Sequence, residues 1–263
     1  MDGVVPEGRL VDASKVAEAA AAWLARLDAG DTVLVERRIL AGELDPAPAA
    51  AEVRIANYGD FAHLNQRWNT TRSGNTHKRL AANPEEWRHY HDLYRQARAT
   101  WPVVPATRFA QWAQERRVGR VIADLGCGEM LFADAVGDRH QVLGFDHFAI
   151  DARVTGCDIT AVPLEEDSVD IAVLSLALMS VNRDGYLAQA CRILPVDGQL
   201  WLAETTNHLG TDETRIRLAL RDRGFDTSLV EILDQFVLVR ATNSERQPVQ
   251  EPSMLFSSGT TSD

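Results

Sequence analysis

Cysteine is scarce in this sequence of 263 residues, which contains only three. Cys127, Cys157 and Cys191 are unevenly spaced, and no two of them form a C-x-x-C pair. An odd number of cysteines at irregular spacing is not the pattern of a disulfide framework or of a zinc site. We therefore expect an intracellular protein of a reducing compartment, with no metal site.

Long apolar runs are also lacking. The longest, from Ile171 to Met179, is much shorter than the roughly 20 residues that a transmembrane helix needs. The first residues, MDGVVPEG, are acidic and lack the positively charged stretch of a secretory signal. Neither membrane insertion nor secretion is expected. A hydrophobic content of 45% still predicts a packed core.

Basic residues are outnumbered overall but are concentrated in one segment. The chain has 27 Lys and Arg against 38 Asp and Glu, a net charge of −11 that disfavours nucleic acid. Between Asp60 and Arg120, however, 11 basic residues stand against 5 acidic ones, together with four of the six tryptophans. This segment is either an RNA surface with exposed, stacking tryptophans, or a helical cap with an aromatic core and a solvated arginine face. The candidate RNA-binding residues are Arg67, Arg72, Lys78, Arg79, Arg95 and Arg98.

The sequence divides into four segments. Residues 1–56 form an extension of unknown role, with a helix over 14–28 and a Pro/Ala linker, LDPAPAAA, over 44–51. Residues 57–117 form a basic and aromatic helical cap, 118–240 the main domain and 241–263 a disordered tail. In the cap, Asn83, Pro84 and Glu86 predict a helix that starts with a capping box, and a further helix follows over 106–116.

From residue 118, short apolar runs alternate with helical patterns, which indicates βαβ units and a parallel sheet. The last two runs flank a tight turn and predict an antiparallel hairpin. A parallel sheet that ends in such a hairpin is typical of methyltransferases. The predicted strands cover residues 120–124, 141–146, 153–157, 170–175, 199–204, 228–233 and 235–240.

The turn ADLGCGEM, after the first predicted strand, lacks what two common nucleotide motifs need. Leu131 stands where a dinucleotide fingerprint has its third glycine, and no P-loop lysine is near. The motif present is Asp124-x-Gly126-x-Gly128. S-adenosylmethionine (SAM) has no phosphates but carries a cationic amino group and a sulfonium, which suit an acidic residue beside a turn that the ligand can approach closely. We expect SAM as the cofactor, bound by Asp124, Gly126 and Gly128.

Two aspartates at the ends of the next strands favour the same site. Asp146 closes the second strand, where a carboxylate can accept hydrogen bonds from ribose hydroxyls. Asp158 closes the third and could meet the adenine amino group while Ile159 packs on the ring. Taken singly, either aspartate could be an ordinary turn or capping residue.

Longer stretches carry a resemblance to a known family. They are DLGCGEMLFADAV, FDHFAIDARVTGCDITAVPLEEDSVDIAVLSLALMSVN and YLAQACRILPVDGQLWLAET, preceded by HLNQRWNT, PEEWRHYHDLYRQ and WPVVPATRFA. Over about residues 58–240 the sequence resembles the nucleomethylin or ribosomal RNA-processing protein eight family of SAM-dependent methyltransferases. The resemblance implies a class I, Rossmann-like α/β fold: a seven-stranded, mostly parallel sheet with an antiparallel C-terminal hairpin, preceded by a helical segment.

The resemblance also implies a substrate, a location and site residues. Eukaryotic members methylate N1 of an adenine in large-subunit ribosomal RNA, so the location would be cytoplasmic for a bacterial source and nuclear or nucleolar for a eukaryotic one. His91 would close over the cofactor from the preceding helix, although by itself it could be a satisfied buried histidine. Residues that would line the SAM site are Gly126, Asp146, Asp158, Ile159 and Ser175.

The chain departs from the family at several of these positions. Ser175 stands where the family has cysteine, and Ile159 where it has methionine. Glu129 replaces the aspartate of the family's GCGD, and residues 195–198 read PVDG instead of KPGG.

Methylation of adenine N1 needs no general base, because that nitrogen offers an in-plane lone pair, so the enzyme's task is alignment. Asn182 or Ser180, after the fourth strand, could bind the base edge as catalytic residues, although Asn182 could instead cap the next helix. Two rival hypotheses keep the fold: a methyltransferase that acts on a small molecule, and a catalytically silent SAM-binding scaffold or reader.

Overall fold

The computed structural model describes residues 46–150 and 152–244. The helix predicted over 14–28 lies outside this part of the chain, as do residues 245–263 of the predicted tail. Contacts divide the chain into two compact units between Gly59 and Asp60. No helix in the described ranges is long and apolar enough to cross a membrane.

The first described element is helix α1, Pro46–Tyr58. The linker predicted over residues 44–51 is therefore wrong from Pro46 onward. Prolines in the first turn of a helix cost no backbone hydrogen bond, and the run of alanines that follows favours helix. The segment boundary predicted near residue 56 falls inside this helix.

The second unit begins with four helices: α2 (Phe61–Asn69), α3 (Ser73–Ala82), α4 (Pro84–Arg98) and α5 (Pro105–Gln114). Asp60 caps α2 by accepting a hydrogen bond from the His63 amide at 2.8 Å. The predicted capping box at the start of α4 is wrong, because the Asn83 side chain makes no capping bond.

The Glu86 side chain instead turns inward, where it is 2% exposed. It accepts a hydrogen bond from Trp68 Nε1 at 3.1 Å and pairs with Arg67 and Arg79 at 3.5 and 3.1 Å. One buried carboxylate therefore joins α2, α3 and α4.

The sheet has seven strands in the order β3-β2-β1-β4-β5-β7-β6. All neighbours are parallel except the pairs β5·β7 and β6·β7, so the predicted parallel sheet with an antiparallel hairpin is confirmed. The strands are β1 (Val121–Leu125), β2 (Gln141–Asp146), β3 (Val154–Gly156), β4 (Ile171–Ser175), β5 (Gln199–Thr205), β6 (Phe225–Leu233) and β7 (Phe236–Asn243).

The largest differences from the predicted strands are in the hairpin. β6 begins three residues early, at Phe225, and β7 continues to Asn243. The tail predicted from Ala241 is therefore wrong for its first three residues. Ala241 pairs with Leu200 and is fully buried, so the alternating apolar pattern of β7 continues beyond Arg240.

Helices cover both faces of the sheet. On one face lie α7 (Asp184–Ile193) and α9 (Glu213–Arg221), and on the other lie α5 and α6 (Leu131–Val136); a short α8 (Thr206–Leu209) follows β5. Because the core lies on both faces of the sheet, the ends of its strands are left to build a site.

Candidate active site

The loop after β1 has a backbone that only glycine accommodates well. Gly126 and Gly128 have φ of +83° and +52°. A Cβ on Gly126 would lie 2.6 Å from Ala177 Cβ, and one on Gly128 would lie 2.7 Å from His91 Cε1. The amides of Gly126 and Cys127 both donate to Phe145 O, at 2.8 and 3.0 Å. The glycine loop is thereby fixed to β2, and the absence of side chains on Gly126 and Gly128 lets Ala177 and His91 pack closely against its backbone.

Asp146, the last residue of β2, is held by two donors. Its Oδ1 accepts a hydrogen bond from Trp87 Nε1 at 2.8 Å, and its Oδ2 accepts one from the Gly128 amide at 2.9 Å. The side chain is buried. Each carboxylate oxygen keeps a further lone pair, so Asp146 is oriented and can still accept from a ligand.

Asp124, on β1, is 2% exposed and lines the same cavity as the glycine loop. Burial, together with the charge of Asp146, raises the pKa of Asp124 to about 7. No donor within the described residues hydrogen-bonds to its carboxylate. A cationic ligand group would satisfy this carboxylate and favour its ionised form.

Aromatic side chains of α4 cover the glycine loop. His91 stacks on Trp87 with ring centroids 3.8 Å apart and meets Tyr90 and Tyr94 edge-on. Burial lowers the pKa of His91 to about 4, so the ring is neutral near pH 7. Its Nδ1 is buried and has no hydrogen-bond partner in the part of the chain that the structure describes.

These groups surround a cavity of about 900 Å³, counted with the space that opens to solvent. The cavity lies at the carboxyl ends of β1, β2 and β4. Seven of the eight residues expected to bind the cofactor line it: His91, Asp124, Gly126, Gly128, Asp146, Ile159 and Ser175. Their roles as ligands of SAM stay predictions.

The eighth residue, Asp158, does not line the cavity. Its Oδ1 accepts from Ser73 Oγ at 2.5 Å and from the Thr160 amide at 3.0 Å. Burial acts to raise the pKa of Asp158, but these hydrogen bonds outweigh it and lower that pKa below its usual value. Asp158 thus joins the end of β3 to the start of α3.

Ser180 and Asn182 also lie outside the cavity lining. Asn182 Oδ1 accepts from the Ser73 amide at 2.9 Å and from Ser180 Oγ at 2.6 Å, and Ser180 Oγ also lies 3.1 Å from Thr71 O. The two side chains fasten the loop after β4 to the segment between α2 and α3. Contact with a substrate base stays a prediction for both.

The six candidate RNA-binding residues fall into three groups. Arg67 and Arg79 pair with Glu86, and Arg95 pairs with Asp92 and Glu129. Arg98 lines the cavity. Arg72 and Lys78 are exposed at the start and on the surface of α3.

The expectation of exposed tryptophans in this segment is wrong for three of the four. Trp68, Trp87 and Trp112 are at most 5% exposed. The fourth, Trp101, is partly buried against Phe236. The helical spacing of the aromatic residues places them in the core instead.

Sequence reasoning missed Trp87 as a site residue. One signal could have found it: Trp87 precedes His91 by four residues on a predicted helix, so both lie on one face. Reasoning also missed the ion pair between Arg95 and Glu129, which ties α4 to the glycine loop at the position where the chain departs from the family.

The sheet order, the antiparallel hairpin and the glycine loop beside Asp146 define the fold class of the protein: the class I, Rossmann-like fold of SAM-dependent methyltransferases. The model of a family described as "Hypothetical methyltransferase" matches residues 49–257. The chain belongs to this family, as the resemblance predicted.

Similar proteins of known name support the same family. The chain is 30% identical to ribosomal RNA-processing protein 8 of Caenorhabditis elegans over 211 aligned residues. The aligned region covers 80% of this chain and 61% of the relative. It is 30% identical to the Arabidopsis thaliana protein of that name, over 74% of this chain and 71% of the relative.

A third relative has an enzymatic name. The 25S rRNA (adenine(645)-N(1))-methyltransferase of Schizosaccharomyces pombe is 33% identical over 66% of this chain and 58% of the relative. This chain therefore spans about six tenths of the worm and fission yeast relatives.

Proposed function

We propose that this protein transfers the methyl group of SAM to N1 of an adenine in ribosomal RNA. The observation that carries the proposal is the convergence of seven expected cofactor residues on one cavity at the strand ends. The name of the S. pombe relative supports adenine N1 as the methylated atom.

The residues of the cavity fit the cofactor. Asp146 is oriented to accept hydrogen bonds from the ribose hydroxyls, and Ile159 is available to pack on the adenine ring. The buried carboxylate of Asp124 complements a cation. His91 covers the glycine loop from α4, Ser175 lies at the end of β4, and Asp158 precedes Ile159 in the chain; contact of Asp158 with the adenine amino group stays a prediction.

The bound cofactor supplies an electrophilic methyl group. The chain's own task is to hold adenine N1 in line with that methyl and to exclude water. No residue has to remove a proton, because the N1 lone pair is free. Asp124 and Asp146 line the cavity, where their carboxylates would favour the positive charge of a bound cofactor and of the methylated base.

A base inside an RNA fold must be flipped out to reach such a cavity. Arg72, just before α3, and Lys78, on α3, are exposed, which supports a role in binding phosphates. α3 is joined to the cavity wall through the bonds of Ser73 to Asp158 and Asn182. RNA bound on α3 would therefore lie close to the loop after β4.

The proposal is tested by mass spectrometry of nucleosides from ribosomal RNA of strains with and without the gene. Loss of N1-methyladenosine in the deletion strain, restored by the wild-type gene, is the expected result. An unchanged N1-methyladenosine level would overturn the proposal that adenine N1 of ribosomal RNA is the substrate. Methylation of a small molecule in extract would then indicate the small-molecule reading, and cofactor binding without any transfer would indicate a scaffold or reader.

A further inference from the structure

The cavity carries one permanent cation among the described residues that line it. That residue is Arg98, since His91 and His147, which also line the cavity, have pKa values lowered by burial and are neutral near pH 7. Arg98 lies on the same face of α4 as His91 and Tyr94, because positions 91, 94 and 98 are spaced by three and four residues.

The other charges of the cavity are largely compensated. Asp146 accepts hydrogen bonds from Trp87 and Gly128, and Glu129 is paired with Arg95. Asp124 has no hydrogen-bond donor, and Arg98 has no carboxylate partner, among the residues that the structure describes. The guanidinium of Arg98 lies 5.4 Å from the centre of the Tyr94 ring. Among its described residues, the cavity therefore contains one carboxyl group without a hydrogen-bond donor and one cation without an acidic partner.

We propose that Arg98 binds the α-carboxylate of the cofactor's amino-acid end, while Asp124 binds its α-ammonium group. A zwitterion is the ligand chemistry that satisfies both side chains at once. A guanidinium suits the carboxylate because it can donate two parallel hydrogen bonds. This inference rests on the proposed use of SAM, and it assigns Arg98 to the cofactor instead of to RNA phosphates.

The neighbouring charges favour this assignment. Without Arg95, the carboxylate of Glu129 would repel a second carboxylate in the cavity, and the ion pair of these two residues removes that repulsion. Tyr94, whose pKa burial raises to about 12, stays a neutral platform beneath the Arg98 guanidinium.

The test measures binding by calorimetry with three ligands: S-adenosylhomocysteine, its decarboxylated analogue, and 5′-methylthioadenosine, which lacks both charged groups. Arg98→Gln should weaken the binding of S-adenosylhomocysteine about 10- to 100-fold, the range expected for loss of charge-assisted hydrogen bonds. It should leave the other two ligands within about 2-fold. Asp124→Asn should weaken the binding of the first two ligands and leave the binding of 5′-methylthioadenosine unchanged.

Arg88→Gln is the matched control, because Arg88 is an exposed arginine of α4 that pairs with Glu85. Equal loss of all three ligands in Arg98→Gln would overturn the inference in favour of a structural role. Unchanged binding of S-adenosylhomocysteine with weaker binding of RNA would overturn it in favour of phosphate contact. A wild-type protein that binds none of the three would overturn the proposed cofactor itself, a result distinct from failure at Arg98.

Discussion

Trp87 of α4 donates its indole N–H to Asp146 at the end of β2, with 2.8 Å between Nε1 and Oδ1. The two residues are 59 positions apart in the chain. This bond connects the helical segment directly to the carboxylate that is proposed to hold the ribose. Formation of the cofactor site therefore depends on the docking of α4 onto the sheet.

Replacing Trp87 tests that dependence. Trp87→Phe keeps an aromatic ring against His91 but removes the donor, so Asp146 loses orientation. We expect the affinity for S-adenosylhomocysteine to fall about 3- to 10-fold, as for one hydrogen bond. Trp112→Phe, at another buried tryptophan outside the cavity, is the control and should leave affinity unchanged. Equal affinities of the Trp87 variant and the wild type in calorimetry would show that the bond does not orient Asp146.

Gly128→Ala should damage the site more than its backbone strain alone predicts. The added Cβ would lie 2.7 Å from His91 Cε1, at a φ of +52°. Gly119→Ala is a matched control, since φ is +81° there and nothing lies within 4 Å of the added Cβ. We expect about 1 kcal/mol of destabilisation for Gly119→Ala, with cofactor affinity kept. Gly128→Ala should be destabilised further and should lose cofactor binding. Urea unfolding and calorimetry measure the two effects, and indistinguishable variants would contradict the prediction.

Asp124 predicts a pH dependence of stability. Its pKa is raised to about 7 in the folded protein, from an ordinary value of 3.8. The folded state therefore holds a proton that the unfolded state releases between these values, so stability falls as pH rises from about 4 to about 7. Asp124→Asn removes this loss. Relative to wild type, the variant should gain on the order of 1–3 kcal/mol in unfolding free energy between pH 5 and pH 8. A difference between variant and wild type that is the same at both pH values would show that Asp124 ionises normally.

The parts of this fold that the sequence predicted are those with local signals. The strands are visible in the sequence as short apolar runs, and the turn after β1 is visible as the closely spaced glycines Gly126 and Gly128. Helix α1 was mistaken for a linker because prolines break helices everywhere except the first turn. The contacts of Trp87 with Asp146 and of Ser73 with Asp158 join residues 59 and 85 positions apart. They depend on how helices dock on the sheet, which no local pattern contains.

Two adjacent glutamates on α4 allow a buried ion pair to be compared with a surface ion pair. Glu86 is 2% exposed and holds Trp68, Arg67 and Arg79, whereas Glu85 pairs with Arg88 at the surface. Glu86→Gln should destabilise the fold by about 3 kcal/mol, since it leaves two arginines without their carboxylate. Glu85→Gln should change stability by less than about 1 kcal/mol. Equal effects in thermal and urea unfolding would show that Glu86 does not join the three helices.

The salt dependence of RNA binding tests whether α3 contacts phosphates. Arg72 and Lys78 are exposed there, whereas Arg67 and Arg79 are engaged by Glu86. If Arg72 and Lys78 neutralise phosphates, the wild-type affinity for a ribosomal RNA fragment should fall steeply with salt. The Arg72→Gln/Lys78→Gln variant should then lower the slope of log K against log salt by about 2. Arg88→Gln, outside this surface, should leave the slope unchanged. Fluorescence polarisation over a salt series measures the slopes. A wild-type affinity indifferent to salt would contradict an RNA substrate, because phosphate contacts cannot form without releasing counterions.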